Sequence, residues 1–225
     1  MHIGMIGGIG PAATEFYYSG LIARHAKAGT KLDLTIAHAD VRELSENVAN
    51  RDAKKQAAIF ARLIERLAAA GAREAVITSM AGHFTVGELE PISALPLINA
   101  LPAVNAAIKE RKLKKVGILG TRTVMEGRLY GAVASVEFVL PEGADLDAVH
   151  TSYVEMARTA HVTEAQRQIF FRVGLNLCKT KGAEAVMLGG TDLFLAFAGH
   201  DPGFAVIDCA DIHVDAIYKR SVERV

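Results

Sequence analysis

Two short segments carry side chains that could bind or transform a small molecule. The first is Ser79-Met-Ala-Gly-His83, in which an imidazole follows a hydroxyl by four positions. A histidine titrates near neutral pH and can serve as a general acid or base, whereas a serine needs an adjacent base to react. One interpretation of this segment is therefore a Ser79 hydroxyl that is activated by His83. The simpler interpretation is a small residue in a loop, followed by a histidine that caps a helix.

The second segment is Gly189-Gly-Thr-Asp192. Thr191 offers a hydroxyl and Asp192 a carboxylate, while Gly190 can contribute only its backbone N–H, as a donor to an anion. For Asp192, the alternative is an acidic residue that interacts favourably with the dipole at the start of a helix.

Both segments follow apolar runs that predict buried strands, Ala75 to Ile77 and Ala185 to Leu188. In parallel α/β sheets, ligands bind at the carboxyl ends of strands. Ser79, His83 and Asp192 are therefore placed where a site is expected.

The chain also repeats its plan. Aligning Gly71 with Gly182 places Ser79 opposite Gly190, each after a strand of similar composition. This repeat indicates two similar lobes, each contributing one strand end to a cleft.

A glycine-rich turn forms a third candidate. The strand predicted over His2 to Ile6 runs into Gly7-Gly-Ile-Gly-Pro11, and a helix follows. Free N–H groups at a helix start favour an anion, so Gly8 and Gly10 are candidate binding positions. The alternative is only a tight connection from strand to helix. The spacing is not GxGxxG, and no dinucleotide is predicted.

Strands that alternate with helices throughout predict an α/β fold. We expect two similar lobes, each a mainly parallel sheet flanked by helices, with pseudo-twofold symmetry and a cleft between the lobes. Residues 1–100 with 208–225 form the predicted N-terminal lobe, and residues 101–207 the C-terminal lobe. The stretch from Asp40 to Asp52 is predicted to be irregular, and the stretch from Pro141 to Asp147 a loop.

Composition excludes several classes of protein. Across 225 residues, 51% are hydrophobic, which supplies a substantial core. Lys plus Arg and Asp plus Glu both number 25, so no basic surplus indicates a nucleic-acid or membrane partner. The apolar runs are shorter than the roughly 20 residues that span a bilayer. Without a signal-peptide pattern at the start, we expect a cytoplasmic protein whose partner is a small molecule or another copy.

No metal site is predicted, because the eight histidines are scattered without ligand spacing. His213, near Asp215, and His200, beside Asp201, are expected to be surface groups. Cys178 and Cys209 have neither CxxC spacing nor a dense framework, so both are expected to be reduced and unpaired.

Four motifs in order resemble the aspartate/glutamate racemase superfamily, in particular its aspartate racemase branch. Gly4-Met-Ile-Gly-Gly-Ile-Gly-Pro-Ala-Ala-Thr14 is similar to the opening of that branch, and Gly117-Ile-Leu-Gly-Thr-Arg-Thr123 to its middle loop. Ser79 to His83 falls where the family has Cys-Asn-Thr-Ala-His, and Gly189 to Asp192 where it has Gly-Cys-Thr-Glu. The resemblance covers nearly the whole chain.

The resemblance implies proton transfer at the α-carbon of a small carboxylate by two cysteines, with no cofactor or metal. A thiol suits this chemistry because its pKa of ~8.5 can be tuned to give a thiolate. By this alignment both catalytic cysteines are lacking, because Ser79 and Gly190 stand at their positions. Cys178 and Cys209 belong to other parts of the chain and do not replace them.

Other positions of the resemblance concern ligand binding. Met80 and Ala81 replace the polar residues that hold a substrate carboxylate in the family. Thr121, Thr123 and Thr191 keep its carboxylate-binding hydroxyls. The family's tendency toward dimers implies a homodimer.

Two hypotheses follow. In the first, the chain is a divergent, cofactor-independent isomerase-type enzyme that acts on an amino or hydroxy acid without two-thiol transfer, through Ser79, His83, Thr191 and Asp192. In the second, it is a catalytically inactive homologue that binds a small carboxylate or regulates in response to it.

Overall fold

The computed structural model of the chain describes residues 1–133 and 136–223. The chain divides into two compact units: unit 1 contains residues 1–100 and the chain from Asp211 onward, and unit 2 runs from Leu101 to Ala210. The observed division therefore falls after Ala210, where the sequence predicts one after residue 207. Residues 224 and 225 of the predicted N-terminal lobe lie outside the described residues.

Unit 1 is built on a parallel sheet with strand order β2-β1-β3. Its strands are β1 (His2–Gly7), β2 (Asp33–His38) and β3 (Glu74–Ile77). A bridge from Ala75 to Leu97 extends the sheet beside β3. Its helices are α1 (Pro11–Ala28), α2 (Val41–Ala49), α3 (Ala53–Ala69) and α4 (Val86–Leu89), with 3₁₀ turns at Ala81–Thr85 and Glu90–Ile92.

The helix α5 (Ala100–Glu110) leads into unit 2, whose parallel sheet has strand order β5-β4-β6-β7. Its strands are β4 (Lys115–Leu119), β5 (Glu137–Val139), β6 (Ala185–Leu188) and β7 (Val206–Asp208). Its helices are α6 (Arg122–Glu126), α7 (Gly143–Thr159), α8 (Glu164–Lys181) and α9 (Phe194–Phe197), with 3₁₀ turns at Leu129–Gly131 and Thr191–Leu193. The last helix, α10 (Cys209–Val222), begins in unit 2 and continues into unit 1.

The two sheets share one plan. In each, the first strand of the unit is central and pairs in parallel with the next two strands, β1 with β2 and β3, and β4 with β5 and β6. A fourth segment then joins the outer edge, as the Leu97 bridge in unit 1 and as β7 in unit 2. The predicted α/β fold, with parallel sheets flanked by helices, is confirmed.

Buried apolar residues hold the sheet of unit 1 against α3. In unit 1, α3 presents Phe60, Ile64 and Leu67 at helical spacing, and all three are fully buried with Ile6 and Ile77 of the sheet. Burying a side chain of this size contributes about 1.5–3 kcal/mol. The sheet therefore has a rigid base, and its carboxyl ends are fixed where the strands stop.

The predicted irregular stretch from Asp40 to Asp52 is wrong, because most of it forms α2. Val41, Leu44 and Val48 recur at helical spacing, and the Asp40 side chain caps the helix by accepting a hydrogen bond from the Arg42 N–H at 2.8 Å. Only Leu44 and Asn47 of this helix are buried. A stripe this narrow leaves most of the helix polar, which hides its periodicity in the sequence.

The predicted loop from Pro141 to Asp147 is also wrong, because α7 begins at Gly143. Its buried face carries Leu146, Val149, Tyr153 and Met156, which recur every three or four positions. The helical pattern therefore starts earlier than the proline and glycine near residue 142 indicate.

Candidate functional site

Strand order locates a switch point in each unit. The chain leaves β1 toward β2 on one side and leaves β3 toward the opposite edge, so the crevice lies beyond the ends of β1 and β3. In unit 2, the same argument selects the ends of β4 and β6. The two predicted segments, Ser79 to His83 and Gly189 to Asp192, follow β3 and β6.

Ser79 and Gly190 lie at equivalent places in their own sheets. The strand pairing continues one residue past β3, where the Thr78 N–H donates to the Ile6 carbonyl at 3.2 Å. It continues likewise past β6, where the Gly189 N–H donates to the Leu119 carbonyl at 2.8 Å. Ser79 and Gly190 are therefore the first residues beyond each ladder, as the alignment of Gly71 with Gly182 predicts.

The glycine-rich turn after β1 is closed by Thr14. The Thr14 hydroxyl accepts a hydrogen bond from the Gly8 N–H at 2.8 Å and donates to the Gly10 carbonyl at 3.1 Å. Gly8 has a φ of +87°, and a Cβ atom there would lie 2.5 Å from the Ala39 carbonyl oxygen and overlap the His38 ring. The Gly8 amide is thus bonded inside the turn, which reduces what this turn can offer an anion.

Ser79 is buried at the end of β3. Its hydroxyl oxygen accepts a long hydrogen bond of 3.3 Å from the Gly82 N–H, and its carbonyl accepts one of 2.7 Å from His83 Nδ1. Met80 is fully buried, and Ala81 is partly exposed. The loop is therefore a tight turn held by hydrogen bonds between its own side chains and its backbone.

His83 bonds to backbone through both ring nitrogens. Nδ1 donates to the Ser79 carbonyl, and Nε2 accepts from the Ala100 N–H at 3.2 Å, which fixes the tautomer. Burial lowers the pKa of His83 to about 4, so the ring is neutral at physiological pH. This geometry is that of a residue that holds the Ser79 loop against the start of α5.

His213 is fully buried, so its predicted surface position is wrong. Its Nδ1 accepts from the Tyr17 hydroxyl at 2.9 Å, and its Nε2 donates to the Ile98 carbonyl at 2.8 Å. The ring packs edge-on against His83, with centroids 5.6 Å apart. Burial, reinforced by His83, lowers the pKa of His213 to about 3. Asp215, close to His213 in sequence, suggested an exposed position. The α-helical period of 3.6 residues per turn instead places His213 on the buried face of α10, together with Ile217.

These two histidines make stability depend on pH. Their pKa values lie below the ordinary 6.5, so only the unfolded chain takes up their protons between pH 6.5 and about 4. Their contribution is complete above pH 6.5, and we expect each to remove about 1.4 kcal/mol of unfolding free energy per pH unit as the pH falls below 6. Urea denaturation at pH 7.5, 6.5, 5.5 and 4.5 measures this slope.

The control for this slope is His161→Asn, which removes an exposed histidine and should leave the slope unchanged. An unfolding free energy that stays constant from pH 7.5 to 5 would contradict the prediction.

In unit 2, the loop after β4 begins with a helix cap. The Thr121 hydroxyl accepts from the Val124 N–H at 3.3 Å, and the Arg122 N–H donates to His150 Nδ1 at 3.2 Å. Thr121 and Thr123 are partly exposed. Thr121 thus has a structural partner as the N-cap of α6, and Thr123 lies in the first turn of that helix.

The segment after β6 contains a buried polar pair. Asp192 is 2% exposed and accepts a hydrogen bond of 3.1 Å from the hydroxyl of Tyr153, which is 6% exposed. Burial and the Asp192 charge raise the pKa of Tyr153 well above its ordinary value, so the phenol stays protonated at neutral pH. Thr191, which precedes Asp192 in sequence, is also buried.

Tyr153 fills the space in front of Gly190. A Cβ atom at residue 190 would overlap the Tyr153 ring, at 2.5 Å from Cζ and 2.8 Å from the hydroxyl oxygen. Real Cβ contacts are not this short, so residue 190 cannot carry a side chain while Tyr153 holds this position. The absence of a side chain at Gly190 is therefore coupled to the presence of the tyrosine.

Sequence reasoning missed Tyr153. Its place in the stripe of α7 predicts burial, but no spacing in the sequence links it to Gly190 or Asp192. The available signal was indirect, namely a glycine where the resemblance calls for a side chain.

The two cysteines are unpaired, and neither follows β3 or β6. Cys178 lies within α8 and Cys209 begins α10 after β7, and burial raises the pKa of both thiols. Neither environment favours a thiolate.

A separate cavity of about 470 Å³ opens in unit 2 near the end of β5. Two of its cations are already paired, Arg122 with Glu126 and Asp147, and Lys181 with Glu142. Its lining in the described part of unit 2 includes none of the predicted site residues. We therefore do not assign the site to this cavity.

Within residues 1–133 and 136–223, His, Cys, Asp and Glu side chains form no group of three or more suited to a metal ion. In the same residues, no helix combines the length and apolar character needed to cross a membrane.

Comparison with known proteins gives one family and a set of similar structures. The sequence pattern of the family described as Asp/Glu/Hydantoin racemase matches residues 6–217. A Yersinia pestis protein assigned to the Asp/Glu racemases is 26% identical, with a TM-score of 0.84 over 99% of this chain and 100% of that one. An aspartate racemase homologue from Pyrococcus horikoshii is 24% identical, with a TM-score of 0.80 over 99% of both chains. The Picrophilus torridus aspartate racemase is 20% identical, with a TM-score of 0.80 over 100% and 96%.

Proposed function

Because the chain belongs to the Asp/Glu/hydantoin racemase family, we propose that it is a divergent racemase-like enzyme of the isomerase type, acting without a cofactor on a small carboxylate, an amino or hydroxy acid. The family match over residues 6–217 carries this proposal, because it includes both predicted segments. A homodimer in the cytoplasm is part of the same proposal.

In unit 1, Ser79 stands at the position of one family cysteine, with Met80 and Ala81 beside it and Gly8 and Gly10 at the neighbouring strand end. His83 positions this loop through its two backbone hydrogen bonds.

In unit 2, Gly190 stands at the position of the other family cysteine. Thr121, Thr123 and Thr191 are the proposed carboxylate-binding hydroxyls, and Asp192 is the ionisable group. Neither position carries a thiol, so the proposed chemistry excludes the usual two-thiol transfer.

A second candidate is a homologue that binds a small carboxylate without turnover. Two observations favour it. Tyr153 fills the space at Gly190, and His83 spends both ring nitrogens on backbone groups, which leaves Ser79 without that imidazole as a base. A serine hydroxyl without a base is a poor proton acceptor.

Exchange of the α-proton in deuterated water distinguishes the two candidates. The purified chain is incubated with D- and L-aspartate, D- and L-glutamate, malate and lactate, and deuterium at the α-carbon is measured by NMR. We expect exchange above background with at least one acid, because an isomerase acting at that carbon must remove its proton.

An Asp192→Ala preparation purified in parallel reports contamination by host racemases, since a contaminant would give equal exchange in both samples. Calorimetric binding with these acids, in the absence of exchange, would support the binding protein. If the chain neither binds nor exchanges any of them, both candidates fail for this ligand class.

A further inference from the structure

The space that a residue-190 side chain would occupy is filled by a functional group. The Tyr153 ring lies against Gly190, and its hydroxyl oxygen is 2.8 Å from where a Cβ atom of residue 190 would be. The end of β6 therefore presents a phenol oxygen close to the point from which a cysteine would project. The Tyr153 side chain therefore occupies the space that a cysteine side chain at residue 190 would need.

The phenol is part of a pair. Its hydroxyl donates to Asp192 Oδ2 at 3.1 Å, and both residues are buried. The hydrogen bond to a carboxylate provides an acceptor for the phenol proton. The Tyr153 hydroxyl is thus paired with a base, Asp192, that orients it and can take up its proton, as in an activated nucleophile.

The pair comes from two separate elements. Tyr153 lies on α7, whose buried face also includes Val149 and Met156, so the ring is fixed by packing. Asp192 lies in the 3₁₀ turn directly after Gly190, in which the Leu193 N–H donates to the Gly190 carbonyl at 3.1 Å. Packing on one side and a short turn on the other hold the two oxygens in one geometry.

We infer that Tyr153 and Asp192 together replace the second thiol as the proton-transferring pair of unit 2. The inference rests on the proposed function and assigns its chemistry to named groups. The Tyr153 oxygen accepts the proton from the α-carbon of the carboxylate as the phenol proton passes to Asp192. The electron pair of the broken C–H bond stays on the ligand as an enolate, and reversal returns a proton from the same oxygen.

Two variants test the pair without emptying the site. Tyr153→Phe keeps the ring that packs against Gly190 and removes only the hydroxyl. Asp192→Asn keeps an oxygen that can accept the Tyr153 hydrogen bond but removes the ability to take up a proton. Tyr18→Phe is the matched control, because Tyr18 is 45% exposed on α1 of unit 1.

We expect α-proton exchange, measured with the acid that the wild-type chain exchanges fastest, to fall by about 100-fold or more in both site variants and to stay unchanged in Tyr18→Phe. The Kd for the same acid should change by no more than a few-fold in all three, because a proton-transfer role does not require lost binding.

Each result has a distinct meaning. Wild-type exchange that persists in Tyr153→Phe overturns the inference while the proposed function stands. If the variants remain folded by circular dichroism but lose both exchange and binding, the pair is assigned to binding and the proton-transfer role is overturned. A wild-type chain that binds but never exchanges overturns both. If Tyr153→Phe fails to fold, Asp192→Asn decides the question alone.

Discussion

Replacing His83 by leucine is expected to destabilise the chain by about 3 kcal/mol or more. The side chain supplies a donor to the Ser79 carbonyl and an acceptor to the Ala100 N–H, both in buried surroundings. Leucine fills the volume but supplies neither group, and each buried backbone group left unsatisfied costs about 1–3 kcal/mol. Urea denaturation at pH 7.5, where the ring is neutral, measures the loss.

The matched control is His161→Leu, which replaces an exposed histidine and should change the unfolding free energy by less than about 0.5 kcal/mol. Equal stabilities of the wild type and His83→Leu would show that the two backbone groups find other partners, and the positioning role would be withdrawn.

The second large effect is expected from Gly190→Ala. The added methyl would overlap the Tyr153 ring, with 2.5 Å to Cζ, and the ring cannot move away without breaking its bond to Asp192. Overpacking of this kind costs about 1–3 kcal/mol, and a tethered aromatic ring places the expected loss at the upper end. Thermal and urea denaturation at neutral pH provide the measurement.

A double mutant isolates the cause. Tyr153→Ala alone costs about 3–5 kcal/mol through the cavity it leaves, and adding Gly190→Ala should then cost nothing further, because the obstacle is gone. Gly87→Ala is the control, since Gly87 is exposed in α4 and an added methyl meets nothing within 4 Å. Additive effects of Gly190→Ala and Tyr153→Ala would contradict the steric coupling.

The strands could be predicted because their signal is local. β3 and β6 are short apolar runs that end in small or polar residues, and the register of each with its central strand places Ser79 and Gly190 where the repeat requires. Parallel sheets bury both faces, so their strands are apolar throughout and stand out in sequence.

The environment of each site residue could not be predicted in the same way. The inward orientation of His213 and the seat of Tyr153 beside Gly190 depend on packing between elements far apart in the chain. His83 illustrates the limit, because its residue type fits both a base and a structural anchor. Only the partners of its two nitrogens distinguish these roles.

Helix α10 determines the order in which the two units can complete folding during synthesis. Unit 2 is continuous from Leu101 to Ala210, whereas unit 1 needs residues from both sides of it. His213 of α10 donates to the Ile98 carbonyl, and Arg220 pairs with the buried Glu74 at the start of β3. Domains usually complete folding from the amino terminus during synthesis. Here the middle of the chain can complete its sheet first, and the nascent amino-terminal half stays without its last helix until translation reaches α10.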